Sequence, residues 1–393
     1  MTQLENKIDL NDLQEALVDS PDFLKDLLGG ALQRIVDAQF ENHIGASRYE
    51  RTEKRTAYRN GHYERQLRTR VGCISLNICR DRDGTFQPQL FGRYQRNEKA
   101  LVLAIIEMYL KGVSTRKIEP ILEELCGLEI SKSQVSELSK GIEAEIQEWK
   151  NRPLEEAYRY LFVDALVHKV RENGKVVSKA CLVGIGVRED GYREVIACGV
   201  ADSESEQTWG TFFKELKERG LRGLELVISD DHAGLTKAIG IHFQGTQWQR
   251  CQVHFMRNFL SSFSKTEQSF WAEKLKDLFS APELEQARER AKALSELLRA
   301  KKKEKQANWI EENIEECLSV YSFPKEHRRK LRTTNVAERF NLEIRRRTKV
   351  IGVFPGIESL MRILVSECMD RTEKWMEKKY LHIERKELLR KAI

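Results

Sequence analysis

The stretch "YLFVDALVHKV", residues 160 to 170, sets an aspartate, Asp164, inside an apolar run of strand character. Two further runs, "KACLVGIGV" and "YREVIACGV", follow across the turn "REDG". A helical pattern, "SEQTWGTFFKELKERG", and a fourth short run, "LELVIS", come next, and the latter ends at Asp230. Strands broken by a helix in this order call for a mixed sheet with helices packed against it. An ionised carboxylate within such a strand is costly unless it is paired, hydrogen-bonded or bound to a cation. The fold must therefore bring Asp164 a partner.

Strand adjacency can supply Asp230. A third acid is Glu338 in "TTNVAERFNLEIRRRT", where Ala337, Phe340 and Ile344 share one helical face and Glu338, Asn341 and Arg345 share the neighbouring one. Three clustered carboxylates repel one another at neutral pH, and divalent metal relieves this most simply. Hard oxygen donors favour Mg²⁺ or Mn²⁺, with two ions roughly 4 Å apart serving phosphoryl transfer. Each acid also has a plainer reading. Asp164 could be a hydrogen-bonded structural carboxylate, Glu338 one more helical glutamate, and one of Asp230 and Asp231 the N-cap of the next helix, a role that falls to Asp231.

Ahead of this α/β core the pattern differs. Residues 1–50 read as a helical N-terminal arm interrupted by Gly29 and Gly30, suited to dimerisation or DNA binding, and residues 51–95 as a small basic β unit with Asn-Gly and Asp-Gly turn signals. Residues 96–150 read as helices: one ends near Gly112, Ser114 caps a second, and a third opens with Ser131, Lys132, Ser133 and Gln134. The last two fit a helix-turn-helix that presents those four residues to a DNA groove, or else an ordinary helical hairpin. The core begins at residues 155–261, is interrupted by a helical insertion at 262–326 in which "KKKEK" reads as solvated helix, and resumes at 327–393 with the glutamate helix and a helical tail.

The chain has 393 residues, 40% hydrophobic and 33% charged, enough for one sizeable core and smaller domains. Its net charge of +6 is modest, but basic residues cluster in "ERQLRTRVG", "HRRKLR" and "IRRRTK", which suits phosphate backbones or simply a solvated face. The eight cysteines show no Cys-x-x-Cys spacing, so neither a disulfide framework nor a zinc ribbon is expected. No apolar run approaches the roughly 20 residues of a membrane span, and the first residues lack a signal-peptide pattern. The expected location is the cytoplasm, in association with the nucleoid.

The segments "YRNGHYERQLRTRVGCISLNICRDRDG", "EKALVLAIIEMYLKGVSTRKIEPILEEL", "ISKSQVSEL", "FVDALVHKVRE", "VISDDHAGLTKAI", "WQRCQVHFMRN" and "TTNVAERFNLEIRRRTKVIGVFP" occur in this order. The chain thereby resembles, over nearly its whole length, the Mutator-type transposases of bacterial insertion sequences, DDE enzymes with a ribonuclease H-like catalytic fold. The resemblance implies a ribonuclease H-like α/β core, with Asp164, Asp230 and Glu338 as a triad that binds Mg²⁺ or Mn²⁺. It also implies a Cys-x-x-His pair, Cys251 and His254, near the catalytic centre. Zinc there would need further ligands that are not evident, so polar support is the favoured role. His232 could orient a phosphate or water, or be a turn histidine. Arg345, Arg346, Arg347 and Lys349, beside the acid, would hold the DNA backbone. Trp209 and Trp248 could stack on a flipped base, although their apolar surroundings favour core packing. Two departures from the family pattern stand out: Asp231 replaces a small residue, and Val336 and Ala337 replace proline and leucine. The expected partners are the element's terminal inverted repeats and target DNA, with at least a homodimer for synapsis. A catalytically inactive DNA-binding derivative and a nuclease that never joins strands are the alternatives.

Overall fold

A computed structural model describes residues 23–53, 55–69, 71–88, 99–110, 113, 115–126, 128, 131–139 and 142–383. The expectations for residues 1–22, Gly112, Ser114, the Lys132 side chain and the end of the tail lie outside the described residues. The chain divides into two compact units, Met1–Gly141 and Ile142–Ile393.

In the first unit, α1 (Phe23–Ile44) lies against the antiparallel hairpin of β1 (Arg59–Thr69) and β2 (Gly72–Asp81). Val36 of α1 packs with Leu67, Ile74, Leu76 and Ile78, and Phe40 and Ile44 pack with Ala57 and Cys79. The glycine pair does not break the helix. A Cβ on Gly29 would stand 3.3 Å from Ile74 Cγ2, so the missing side chain lets α1 approach β2 closely. Asn60-Gly61 is not the hairpin turn: it is a bulge inside β1, with φ +75° at Gly61, and the strands reverse instead between Thr69 and Gly72. Asp83-Gly84 does form the turn after β2. The buried Asp81 accepts hydrogen bonds from Thr85 Oγ1 at 2.5 Å and from the Thr85 and Phe86 amides, and faces His43 of α1 at 3.4 Å. These contacts hold its carboxyl well below the usual range.

Among the described residues of this unit three short helices follow: α2 (Lys99–Leu110), α3 (Thr115–Cys126) and α4 (Lys132–Ser139). They bury Leu101, Ile105, Ile118, Leu122 and Val135. The start of α4 is a reciprocal capping box. Gln134 N donates to Ser131 Oγ at 3.3 Å, and Ser131 N donates to Gln134 Oε1 at 3.0 Å.

The second unit starts with α5 (Glu143–Asn151). A six-stranded mixed sheet follows, of β3 (Tyr158–Glu172), β4 (Lys175–Arg188), β5 (Arg193–Ala201), β6 (Leu226–Ser229), β7 (Gln247–Arg250) and β8 (Val353–Phe354). The order is β5-β4-β3-β6-β7, antiparallel across the first three strands and parallel from β3 onward. The fold is thus mixed α/β. β4 pairs with β3 along its length, but the other edge of β3 is shared: β6 pairs with Tyr160–Phe162 and β8 with Lys169–Val170.

On one face, Leu161, Val163 and Ala165 pack under α6 (Glu206–Glu218) and α7 (Ala233–His242), with Trp209, Phe212 and Phe213 at the centre. On the other face, Tyr160 bonds to His327 of α12 (Lys325–Leu331) at 3.0 Å. α13 (Asn335–Thr348) packs on β3, and α14 (Ile357–Met376) packs on β5 and on α5.

Between β7 and α12 the chain forms α8 (Gln252–Leu260), α9 (Lys265–Phe279), α10 (Leu284–Ala300) and α11 (Glu304–Asn313), with a core of their own around Phe255, Phe259, Trp271 and Leu298. "KKKEK" is not continuous helix. Lys301–Lys303 form a turn, with φ +57° at Lys302, that folds α11 back on α10. The insertion is pinned to the sheet by buried polar groups of β7 and α8. Gln249 bonds to Cys317 O and accepts from Val320 N, and Gln252 also donates to Cys317 O.

Candidate active site

The acids arrive from three elements. Asp164 extends the row Tyr160–Phe162 of β3 onto the face covered by α13, just past the point where β6 stops pairing. Asp230 follows the carboxyl end of β6, and Glu338 stands in the first turn of α13. One turn on, Asn341 Nδ2 donates to Asp164 Oδ2 at 2.8 Å, while the Ala165 amide donates to Oδ1 at 2.9 Å, so both oxygens are held. Burial first, then the charge of Asp230 and, more weakly, that of Glu338 push Asp164 up to about 7, against the pull of the Ala165 amide and His254. Asp164 thus lies within electrostatic reach of both other acids.

Cys251 and His254 open α8 on the same side. Cys251 Sγ, a His254 ring nitrogen and a Glu338 oxygen lie within 4.8 Å of one another, and His254 Nε2 is 3.4 Å from Glu338 Oε1. Thr334 donates both its amide and its hydroxyl to Cys251 Sγ, each at 3.3 Å. Burial raises the Cys251 thiol, but hydrogen bonds from His254 and Thr334 together outweigh it and leave it lowered. His254 moves up, through its hydrogen bond to Cys251 and the negative charges of Cys251, Glu338 and Asp230. Both shifts favour the charged forms, and a protonated His254 would set its charge beside Glu338.

Asp231 has a different fate. It does not cap α7: the N-cap position is His232, and no side chain bonds to the helix there. Asp231 Oδ2 instead pairs at 2.8 Å with Arg250 Nη2, whose guanidinium also binds Asn313 and Glu316 and lies over the rings of Phe255 and Trp309. His232 is half-buried, and its Nδ1 has no hydrogen-bond partner among the described residues. A fourth acid escaped the sequence reading. Burial raises Glu204, His232 opposes the rise and Asp230 adds to it. No periodicity or motif marks Glu204, a loop residue brought in by the β5–α6 connection.

Trp209 is fully buried against Phe212 and Phe213. Trp248 Nε1 donates to Ser229 Oγ, which donates to Asp230 O, so this indole steadies the end of β6. Arg345, Arg346 and Lys349 are exposed along α13 and just past its end, with Arg346 near Glu343. Arg347 turns inward and is held by the buried Glu367 at 2.5 Å and by Asp370 at 3.0 Å. Its charge is committed there. Ser131, Ser133 and Gln134 are exposed on the first unit, where Ser131 and Gln134 cap their own helix.

Fold and site together define a mixed α/β protein with an acid cluster gathered where parallel strands end and a glutamate helix closes over them. The family model described as "Transposase, Mutator family" matches residues 1–378. The chain is 41% identical to the transposase for insertion sequence element IS256 in transposon Tn4001 of Staphylococcus aureus, over 98% of this chain and 100% of that protein. It is 40% identical to the transposase for insertion sequence element ISRM5 of Rhizobium meliloti, over 96% and 94% of the two chains. The transposase for insertion sequence element IS1081 of Mycobacterium tuberculosis is 34% identical, over 95% and 92%. This chain belongs to the Mutator family of transposases. Its substrate is accordingly DNA, and among the described residues no helix is long and apolar enough to cross a membrane.

Proposed function

We propose that the protein is a DDE transposase of an insertion sequence, built on a ribonuclease H-like core, that binds the terminal inverted repeats of its element, cuts the strands and joins the 3′ ends to target DNA. The observation that carries this reading is the convergence of Asp164, Asp230 and Glu338, with the charges of the other two acids raising the Asp164 carboxyl. Glu338 Oε1 is buried without a hydrogen bond, which suits a cation ligand. The donor set is hard oxygen and fits Mg²⁺ or Mn²⁺, which Asp164, Asp230 and Glu338 would hold. Such ions would polarise the phosphodiester and offset its charge against the acids.

The chain's own groups set up that chemistry. Asn341 and the Ala165 amide lock the Asp164 carboxylate in one orientation. His254, backed by Cys251, sets a positive charge beside Glu338 and limits repulsion within the cluster, so this pair acts as polar support rather than as a zinc site. Arg345, Arg346 and Lys349 line the DNA side of α13, and His232 stands near Asp230 for a phosphate or water. In cleavage, a water oxygen forms a bond to phosphorus and the P–O3′ bond breaks. In joining, the freed 3′ hydroxyl forms the new bond and the target's own 3′ oxygen leaves. The first unit, residues 1–141, carries end recognition, and pairing of two ends requires at least a dimer.

A supercoiled plasmid bearing the element, incubated with Mg²⁺, tests this. Wild-type protein should give cleaved and strand-transfer products. Asp164→Asn, Asp230→Asn and Glu338→Gln should each bind ends and lose cleavage by at least about a thousandfold. End binding without cleavage by the wild type would mean an inactive derivative, and cleavage without joined products would mean a nuclease.

A further inference from the structure

The flank of α13 that carries Arg339 borders a cavity of about 500 Å³ between α12, α14, β5 and the segment after α14. Five cations line it, Arg193, Arg329, Lys330, Arg339 and Arg371, and no acidic side chain does. Arg371 reaches Glu367 outside the lining at 3.5 Å, and Lys330 bonds to Tyr380 O. Arg193, Arg329 and Arg339 have no acid partner among the described residues. Like charges gathered in a concavity raise one another's energy unless an anion joins them. Arg193 is pushed down by burial first, against the pull of the Tyr380 hydroxyl it bonds to, with smaller contributions from Arg371 and Arg339, and Lys330 is pushed down by burial and by Arg193, Lys378 and Arg329.

The geometry suits a particular anion. The Arg193 guanidinium lies over both the Trp375 ring, at 4.4 Å, and the Tyr380 ring, at 4.3 Å. Ring contacts occupy the faces of a guanidinium and hold its plane, and the N–H groups of Arg193 that do not meet the Tyr380 hydroxyl are left for an oxygen acceptor such as phosphate. Thr333 and Asn335 bring the start of α13 to the same cavity, and no side chain caps that helix. Its first amides add the positive end of a helix dipole. Glu338 and Asn341 occupy a different stripe of the same helix, so the cavity and the acids are neighbours across the helix, about 10 Å through.

We propose that this cavity binds the phosphodiester backbone of DNA, as a contact separate from the acid cluster that holds a strand while it passes over the start of α13 towards Asp164. The proposal rests on the transposase reading above. It adds the residues that grip the strand beside the site of cutting.

The test uses the full chain and fluorescence anisotropy with two duplexes, one ending in the element's terminal repeat and one unrelated, between 50 and 200 mM salt. Arg329 and Arg339 are exposed, so Arg329→Gln/Arg339→Gln leaves the core intact. That double variant should bind about tenfold more weakly at low salt, with the slope of log K against log salt reduced by roughly one to two. Arg193→Gln should act in the same direction, and Arg193→Lys, which keeps charge but not the planar fork, should fall between it and wild type. Weakening confined to the terminal duplex would place the element end in the cavity, and weakening confined to the unrelated duplex would place target DNA there. Wild-type affinity and slope on both duplexes would overturn the proposal while leaving the transposase reading standing. A wild-type protein that binds neither duplex would overturn both.

Discussion

Asp230 and Asp231 are neighbours in the chain and part company in the fold. Asp230 bears on Asp164, while Asp231 turns to Arg250. Replacing Asp231 with Asn should lower cleavage by no more than about tenfold, because the Arg250 pair is one-third exposed on its acidic side and such pairs contribute about 0–1 kcal/mol. An Asp231→Asn protein as inactive as Asp230→Asn would reverse the assignment. Arg250 is a different matter. Its side chain is 2% exposed and ties Asp231 to the insertion through Asn313 and Glu316. Arg250→Ala should cost about 3 kcal/mol in urea denaturation, at the low end for a broken buried pair because Glu316 and Asp231 can rehydrate. At Asp81 the prediction concerns pH. The folded carboxyl is lowered below its ordinary 3.8, so its contribution is present above that value and is lost as pH falls below it. Asp81→Asn should lower the Tm at pH 7, with the gap to wild type narrowing below pH 4.

At the scale of elements, the capping box of α4 has a direct test. Ser131→Ala should destabilise the first unit by about 1 kcal/mol, read from the unfolding midpoint, while Ser133→Ala, which leaves the box intact, should cost less. Sequence periodicity located the long elements well, because β3, β4, β5, α6 and α13 each carry an unbroken apolar stripe. It failed where a local signal had two meanings. Asn60-Gly61 has the composition of a hairpin turn and serves as a bulge, since the register of β1 on β2 is settled by the buried Leu67, Ile74, Leu76 and Ile78. The Gly29-Gly30 pair looks like a break and serves as a close contact with Ile74. β7 and β8 are too short to carry a pattern and exist only through their neighbours.

At the scale of the molecule, the first compact unit ends at Gly141 rather than near residue 150. α5 buries Ile146 and Trp149, packs on α14, and has Glu143 paired with Arg362 at 3.4 Å. A fragment of residues 142–393 should therefore unfold in one cooperative transition with a Tm several degrees above that of 152–393, by calorimetry. Equal Tm values would mean that α5 is dispensable to the core. The placement of Asp164 in a central strand and of Glu338 on a helix packed against it was legible, because an aspartate in an apolar strand demands a partner and a helix with one apolar stripe must pack. The roles of Glu204, Arg250 and the Arg193 cavity were not, because they arise from residues far apart in sequence that no spacing links.

The divided edge of β3 has a last consequence. β6 serves its first half and β8 its end, which leaves residues 163–168 with no strand beside them on that side among the described residues. A continuous neighbour would have filled the edge of β3 beside Asp164 with paired backbone. On the transposase reading, that gap leaves room beside Asp164 for a polymer too thick to enter the protein.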